Sequence, residues 1–244
     1  MERVICIEGQ RFSAGQREEL LSSLHKKGIR KLAFSAFAYE KELWEPGFMD
    51  EYLAQVSALG MKFVSAHGIW FHNNDLNWPD PEGRHESVKT QIRYLERAAA
   101  AGCSTFILHP GAEFIRYSRE ELWENFRESI RKMLPAAQAC GVTLAIENNA
   151  GKFLGANIAE LAQFVSSFDS EYVGVGFDTG CANLTGDPAE EFEKVSGLAV
   201  TAALTDNDGI SPRPLPPGKG SINWQTLMEK LERSPRLIHC ITDW

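Results

Sequence analysis

Short apolar runs rich in β-branched and aromatic residues punctuate the chain: 3–9 (RVICIEG), 31–37 (KLAFSAF), 62–68 (KFVSAHG), 105–111 (TFILHPG), 143–149 (TLAIENN), 173–180 (VGVGFDTG), 198–208 (LAVTAALTDND) and 236–244 (RLIHCITDW). Each is too short for a helix, and continuous runs of this kind suit strands covered on both faces. Amphipathic stretches lie between them. Residues 16–29 set Leu20, Leu21 and Leu24 on one face, and residues 48–61, 87–103 and 119–141 repeat the pattern. Gly28, Gly60, Gly102 and Gly141 stand where these helices should stop. Helix, glycine, strand is the grammar of an αβ junction. Eight such units predict right-handed βαβ crossovers closing into a single α/β domain over 1–244, a (β/α)8 TIM barrel. A doubly wound open sheet is the other candidate, but no GxGxxG follows the first strand. Residues 69–86, with Trp70, Phe71, His72 and Trp78, read as a long ligand-facing loop. No helical pattern follows the eighth run, so the last helix is expected to be lacking and its flank covered by a partner copy, as in a homodimer, or by another segment.

Composition leaves this picture in place. The chain has 244 residues with 43% hydrophobic and 24% charged, ordinary for a globular domain. A net charge of −8 argues against a nucleic-acid surface. The five cysteines are scattered without a CxxC pair, so neither a zinc ribbon nor a disulfide framework is suggested. The first residues do not read as a signal peptide, and no run approaches the ~18 apolar residues of a membrane span. No membrane partner is expected, and the cytoplasm is the expected location.

Candidate chemistry gathers at the C-terminal ends of the strands, where barrels of this class place their sites. Strand three ends in His67, strand four in His109, strand five in Glu147, Asn148 and Asn149, strand six in Asp178 with Cys181 beyond, strand seven in Asp206, and strand eight carries His239. Any one of these has a plain structural explanation: a hydrogen-bonded core histidine, or an Asp or Asn serving a turn. Six polar strand ends at one mouth are another matter, because burying so many ionisable groups without a task is costly.

The motifs SAHG, ILHPG, AIENN, GFDTGCANLTGD and TDNDG…LPPGKGSINW, one per strand and in order, resemble the xylose isomerase-like superfamily of sugar isomerases and epimerases and their apurinic-endonuclease relatives. The resemblance implies one divalent metal (zinc, manganese or magnesium) held by strand-end ligands. Carried onto this chain, Glu147 and Asp178 match, the strand-seven histidine falls at Ala203, and the strand-eight ligand falls at or beside His239. Cys181 replaces a histidine, and Pro212-Arg213-Pro214 replaces an Asp-x-His pair needed for a three-zinc nuclease site. The implied activity is proton abstraction next to a carbonyl of a sugar or sugar phosphate, with Glu147, His67 and His109 catalytic, and Trp70, Asn148, Asn149, Cys181, Asp206 and Lys219 contacting substrate. Two other readings stand beside it: a metal-free sugar-binding or regulatory barrel, and a divergent endonuclease-like enzyme.

Overall fold

The structure, a computed structural model, describes residues 2–35, 47–70 and 75–242. All eight apolar runs form strands: β1 (Glu2–Ile7), β2 (Lys31–Ser35), β3 (Lys62–His67), β4 (Thr105–Leu108), β5 (Thr143–Glu147), β6 (Val173–Asp178), β7 (Ala199–Ala203) and β8 (His239–Thr242). Each pairs in parallel with the next and β1 pairs with β8, so the sheet closes into a barrel.

Eight helices are described: α1 (Ala14–Lys26), α2 (Phe48–Ala58), α3 (Pro81–Ala100), α4 (Arg119–Cys140), α5 (Ile158–Ser166), α6 (Thr179–Asn183), α7 (Pro188–Glu193) and α8 (Trp224–Arg233). The first and fourth start on capping boxes, Ser13 with Gln16 and Ser118 with Glu121. α3 begins earlier than its apolar period suggests. Asp80 accepts from Gly83 N at 2.7 Å and Pro81 fills the first helical position, so the helix takes the last third of the predicted 69–86 loop. Phe71 and His72, expected in that loop, lie outside the described residues. Trp78 is not among the residues lining the cavity and meets Phe114 edge to face at 5.3 Å. Among the described residues no helix follows β8, and none is long and apolar enough to cross a membrane.

Two apolar clusters hold the barrel. The larger lies between strands and helices. The smaller fills the barrel interior with Val4, Ala33, Val64, Ile107, Ala145, Val200 and Ile241. β6 adds no side chain to this plug, because a Cβ on Gly174 would meet Val200 at 2.7 Å. The interior is therefore a packed floor, and the polar strand ends sit above it.

Candidate metal centre

His67 closes β3, His109 follows β4 directly, and Glu147 closes β5. Their polar atoms converge at the barrel mouth. The two Nε2 atoms are 3.0 Å apart, and Glu147 Oε2 lies 3.2 Å from His109 Nε2 and 3.5 Å from His67 Nε2. His67 Nδ1 donates to the Gly68 carbonyl at 2.7 Å, which fixes the tautomer and leaves the Nε2 lone pair facing the cluster. Trp70 stacks on His109 with ring centroids 3.9 Å apart and sets the plane of that imidazole. Gln91 of α3 holds Trp70 in place from behind: its side-chain amide accepts from Ile69 N and donates to the Ile69 carbonyl. Burial, and secondly the neighbouring His67, push the His109 pKa well below its ordinary 6.5, with Asn149 acting weakly in the other direction. His109 is thus a neutral imidazole at neutral pH.

Two imidazole nitrogens and one carboxylate oxygen suit a divalent transition metal. Ligands of a tetrahedral zinc, at about 2.0–2.1 Å from the ion, stand about 3.3–3.4 Å from one another. The observed separations of 3.0, 3.2 and 3.5 Å bracket that value. The trio is the one group of histidine, cysteine, aspartate and glutamate side chains, among the described residues, whose ligand atoms all lie within 4.8 Å of one another.

The trio lines a cavity of about 340 Å³ shared with Glu8, Ser35, Trp70, Asn149, Phe153, Asp178 and Cys181. Asp178 is also the N-cap of α6: its Oδ1 accepts from Cys181 N at 2.7 Å and from Thr205 Oγ1 at 3.3 Å. Burial, then Asp178 and Glu147, raise the Cys181 thiol far above its usual range, so it stays protonated in this surrounding.

Four residues expected at the site take other positions. His239, expected as the strand-eight metal ligand, is the first residue of β8 and pairs with Glu2 and Thr201, at the barrel end opposite Glu147. Its Nε2 faces Ser104 Oγ at 3.4 Å, and Lys31 and Lys62, the first residues of β2 and β3, are its charged neighbours. Asn148 points away from the cavity and staples β5 to β6, accepting from Asp178 N at 2.7 Å and donating to the Asp178 carbonyl at 3.0 Å. Asp206 is fully buried. Its carboxylate accepts from the backbone N–H groups of Asn207, Gly218, Gly220 and Ile222 and from Trp224 Nε1 at 2.8 Å. Lys219 is exposed on the loop that Asp206 organises, as is Arg213. Ala203 sits at the mouth end of β7 beside Asp178, where it offers no donor from its side chain.

Sequence reasoning missed Glu8, Ser35 and Phe153. Glu8 and Ser35 obey the same strand-end rule as the others, at β1 and β2. Phe153 lies on the loop after β5 and meets Trp70 edge to face at 5.8 Å.

Comparison with known proteins agrees with this architecture. The family model described as xylose isomerase-like TIM barrel matches residues 17–241. The chain is 31% identical over 196 residues to a probable endonuclease 4 of Campylobacter concisus, covering 72% of this chain and 68% of that protein. It is 30% identical over 172 residues to the uncharacterized protein MJ1311 of Methanocaldococcus jannaschii, covering 65% of this chain and 57% of that protein's length. Among solved structures, a D-tagatose 3-epimerase-like protein superposes with TM-score 0.85 at 19% identity, covering 99% of this chain and 90% of that one. The IOLI protein with a binding zinc atom superposes with TM-score 0.82 at 14% identity, covering 99% and 88%.

Proposed function

The chain belongs to the xylose isomerase-like TIM-barrel family, and on that footing we propose that it is a metal-assisted isomerase or epimerase of a small sugar, its cation held by His67, His109 and Glu147. The observation that carries this reading is the convergence of those three donors in a cavity that also holds a further carboxylate, Asp178, and two aromatic faces. The N2O donor set favours zinc, then manganese, over magnesium, which prefers oxygen ligands. The zinc named for one structural neighbour and the epimerase named for another support the reading.

A bound divalent cation supplies Lewis acidity that stabilises negative charge developing on a carbonyl oxygen. The remaining work falls to the chain. Trp70 and Phe153 present apolar faces to the C–H groups of a sugar ring or chain. His67, through its bond to Gly68, and His109, under Trp70, keep fixed ring planes. Asp178, oriented by Cys181 N and Thr205 Oγ1, takes the proton from the carbon next to the carbonyl. Isomerisation delivers it to the former carbonyl carbon as the hydroxyl proton crosses to the other oxygen, and epimerisation needs a second acid to deliver a proton to the opposite face of the same carbon.

The test has two halves. Elemental analysis of protein purified without added metal should find near-stoichiometric zinc or manganese, lost in His67→Ala and Glu147→Gln. Incubation of free and phosphorylated ketoses with metal-loaded protein in D2O should place one deuterium next to the carbonyl of at least one of them, read by mass spectrometry, and Asp178→Asn should abolish it. Metal-loaded protein that labels no sugar would sink the catalytic reading. Thermal stabilisation by sugar without labelling would instead favour the binding barrel.

The identity to a probable endonuclease 4 favours a second reading, an enzyme acting on abasic DNA. Ala203 and Pro212-Arg213-Pro214 speak against a multi-metal phosphodiesterase site, because none of these side chains binds a metal in the manner of histidine or aspartate. Metal-dependent incision of an abasic duplex by the wild-type chain, absent in Glu147→Gln, would establish it.

A further inference from the structure

Glu8 enters the cavity from the strand opposite the metal centre. In a closed eight-strand barrel β1 and β5 are four steps apart in either direction, so Glu8 and Glu147 face each other across the mouth. The position of Glu8 is built in. A single 3-10 turn, Gly9–Arg11, follows it, and Arg11 N donates to the Glu8 carbonyl at 3.0 Å. That turn returns the Arg11 guanidinium to an ion pair with the Glu8 carboxylate. Gly9 lies so close to the buried ring of Tyr52 that a Cβ there would come within 2.3 Å of it, which seats the backbone beside Glu8.

The cavity thus carries three carboxylates, Glu8, Glu147 and Asp178, and no lysine or arginine among its described lining residues. Arg11 is engaged with Glu8, and Arg213 and Lys219 are exposed on the loop after β7. A phosphate group seeks an arginine fork, a lysine or a set of backbone N–H donors. Here it would meet acids: a divalent cation in the trio would offset two of their three charges and Arg11 the third, which leaves the lining without net positive charge to hold a phosphate. Sugar hydroxyls are the natural partners of such a lining, because each donates a hydrogen bond to a carboxylate.

We propose that Glu8 is a specificity-determining residue that makes this mouth select neutral, polyhydroxylated ligands and exclude phosphorylated ones. The proposal names the substrate class of the site and rests on the sugar-site reading above. Its test reads charge selectivity directly, without turnover. A reporter thiol is placed by Ala150→Cys at a residue that also lines the cavity, and its labelling by cationic and anionic methanethiosulfonate reagents is followed by peptide mass spectrometry, each rate divided by that of free cysteine. The cationic reagent should be faster. Glu8→Gln should lower the cation-to-anion ratio by about threefold at low ionic strength, and Arg11→Gln should raise it. An anionic reagent that reacts as fast as the cationic one in the Ala150→Cys protein, with Glu8 and Arg11 both present, overturns the proposal. So does a ratio unchanged by Glu8→Gln.

Protection of the same thiol is then measured with D-fructose and with D-fructose 6-phosphate. The free ketose should protect at the lower concentration, and Glu8→Gln should narrow the gap. Stronger protection by the phosphate overturns the proposal. Protection by neither sugar, with the reagent ratio as expected, upholds the charge selection by Glu8 and counts against the sugar-site reading instead.

Discussion

Replacing Asp206 by alanine should cost the fold about 3 kcal/mol. The carboxylate is the hub of the loop between β7 and α8. Oδ1 accepts from Asn207 N at 2.9 Å and Ile222 N at 3.3 Å, and Oδ2 accepts from Gly218 N at 2.9 Å, Gly220 N at 3.0 Å and Trp224 Nε1 at 2.8 Å. Five bonds to a charged acceptor, at roughly 1.5–3 kcal/mol each, would sum far too high, because donors released to water recover most of their energy. Gly218 and Gly220 are exposed and rehydrate. Asn207 and Ile222 are 3% and 8% exposed and do not, and two orphaned buried N–H groups cost about 1–3 kcal/mol each. Trp224, half-buried, adds little. Asp206→Asn should do nearly as badly, since an amide NH2 would face two or three N–H donors whichever way it turns. The carboxylate is held below its usual pKa: burial pushes upward, but donation by Trp224, Gly220, Ile222 and Gly218 outweighs it. This stability is therefore present above the unfolded pKa near 3.8 and is lost as pH falls through the lower folded value. Urea unfolding followed by circular dichroism gives the number. For a chain of this size the matching melting shift is about 6–12 °C. Asp208 is the control, exposed and bonded to Ile210 N and Ser211 N, and its asparagine variant should unfold at the same urea concentration as wild type. A loss under about 1 kcal/mol in Asp206→Ala would refute the argument that burial, rather than bond count, decides the cost.

Two further outcomes follow from the barrel's two ends. Ala203 lies beside Asp178 in the β6–β7 register at the mouth, so Ala203→His should create a second set of donors with Asp178 and raise bound zinc from one equivalent toward two; zinc unchanged by elemental analysis would show that β7 does not reach the centre. At the other end, burial, then Lys31 and Lys62, lower the His239 pKa from 6.5 to about 4. The unfolded chain therefore binds more protons in that window, and the fold loses stability as pH drops from 6.5 to 4, by about 1–2 kcal/mol after discounting for solvent screening. His239→Gln should flatten urea midpoints measured across this range, and an unaltered slope would disprove the assignment.

The strands were legible because each is a continuous apolar run, and parallel strands buried on both faces have no other pattern to show. The end of β5 was legible only in part. Glu147, Asn148 and Asn149 read as three candidates, yet strand side chains alternate, so Glu147 and Asn149 share the cavity while Asn148 serves the opposite face. The eighth run misled in another way. It extends over 236–244, but the strand itself begins only at His239, which puts that residue at the floor rather than the mouth. A long apolar run fixes a strand's existence and leaves its register open, and register decides which end of the barrel a residue reaches.

The loop after β7 shows why motif similarity and site chemistry part company here. Gly218, Gly220 and Trp224 are gathered around Asp206, and together they satisfy one buried charge. A Cβ on Gly220 would come within 2.1 Å of the Asn207 carbonyl, so the chain passes at a distance only glycine allows. None of these residues faces the cavity. The constraint on them is the architecture of the loop, and it holds whatever residue stands at position 203. The two histidines at β3 and β4 are held differently: His67 bonds to its own neighbour and His109 lies under Trp70, with their Nε2 atoms meeting each other and Glu147. Two imidazole nitrogens and a buried carboxylate brought within 3.0–3.5 Å of one another are costly to desolvate, and on the proposed reading a cation would offset that cost at β3, β4 and β5, whereas β7 offers only Ala203.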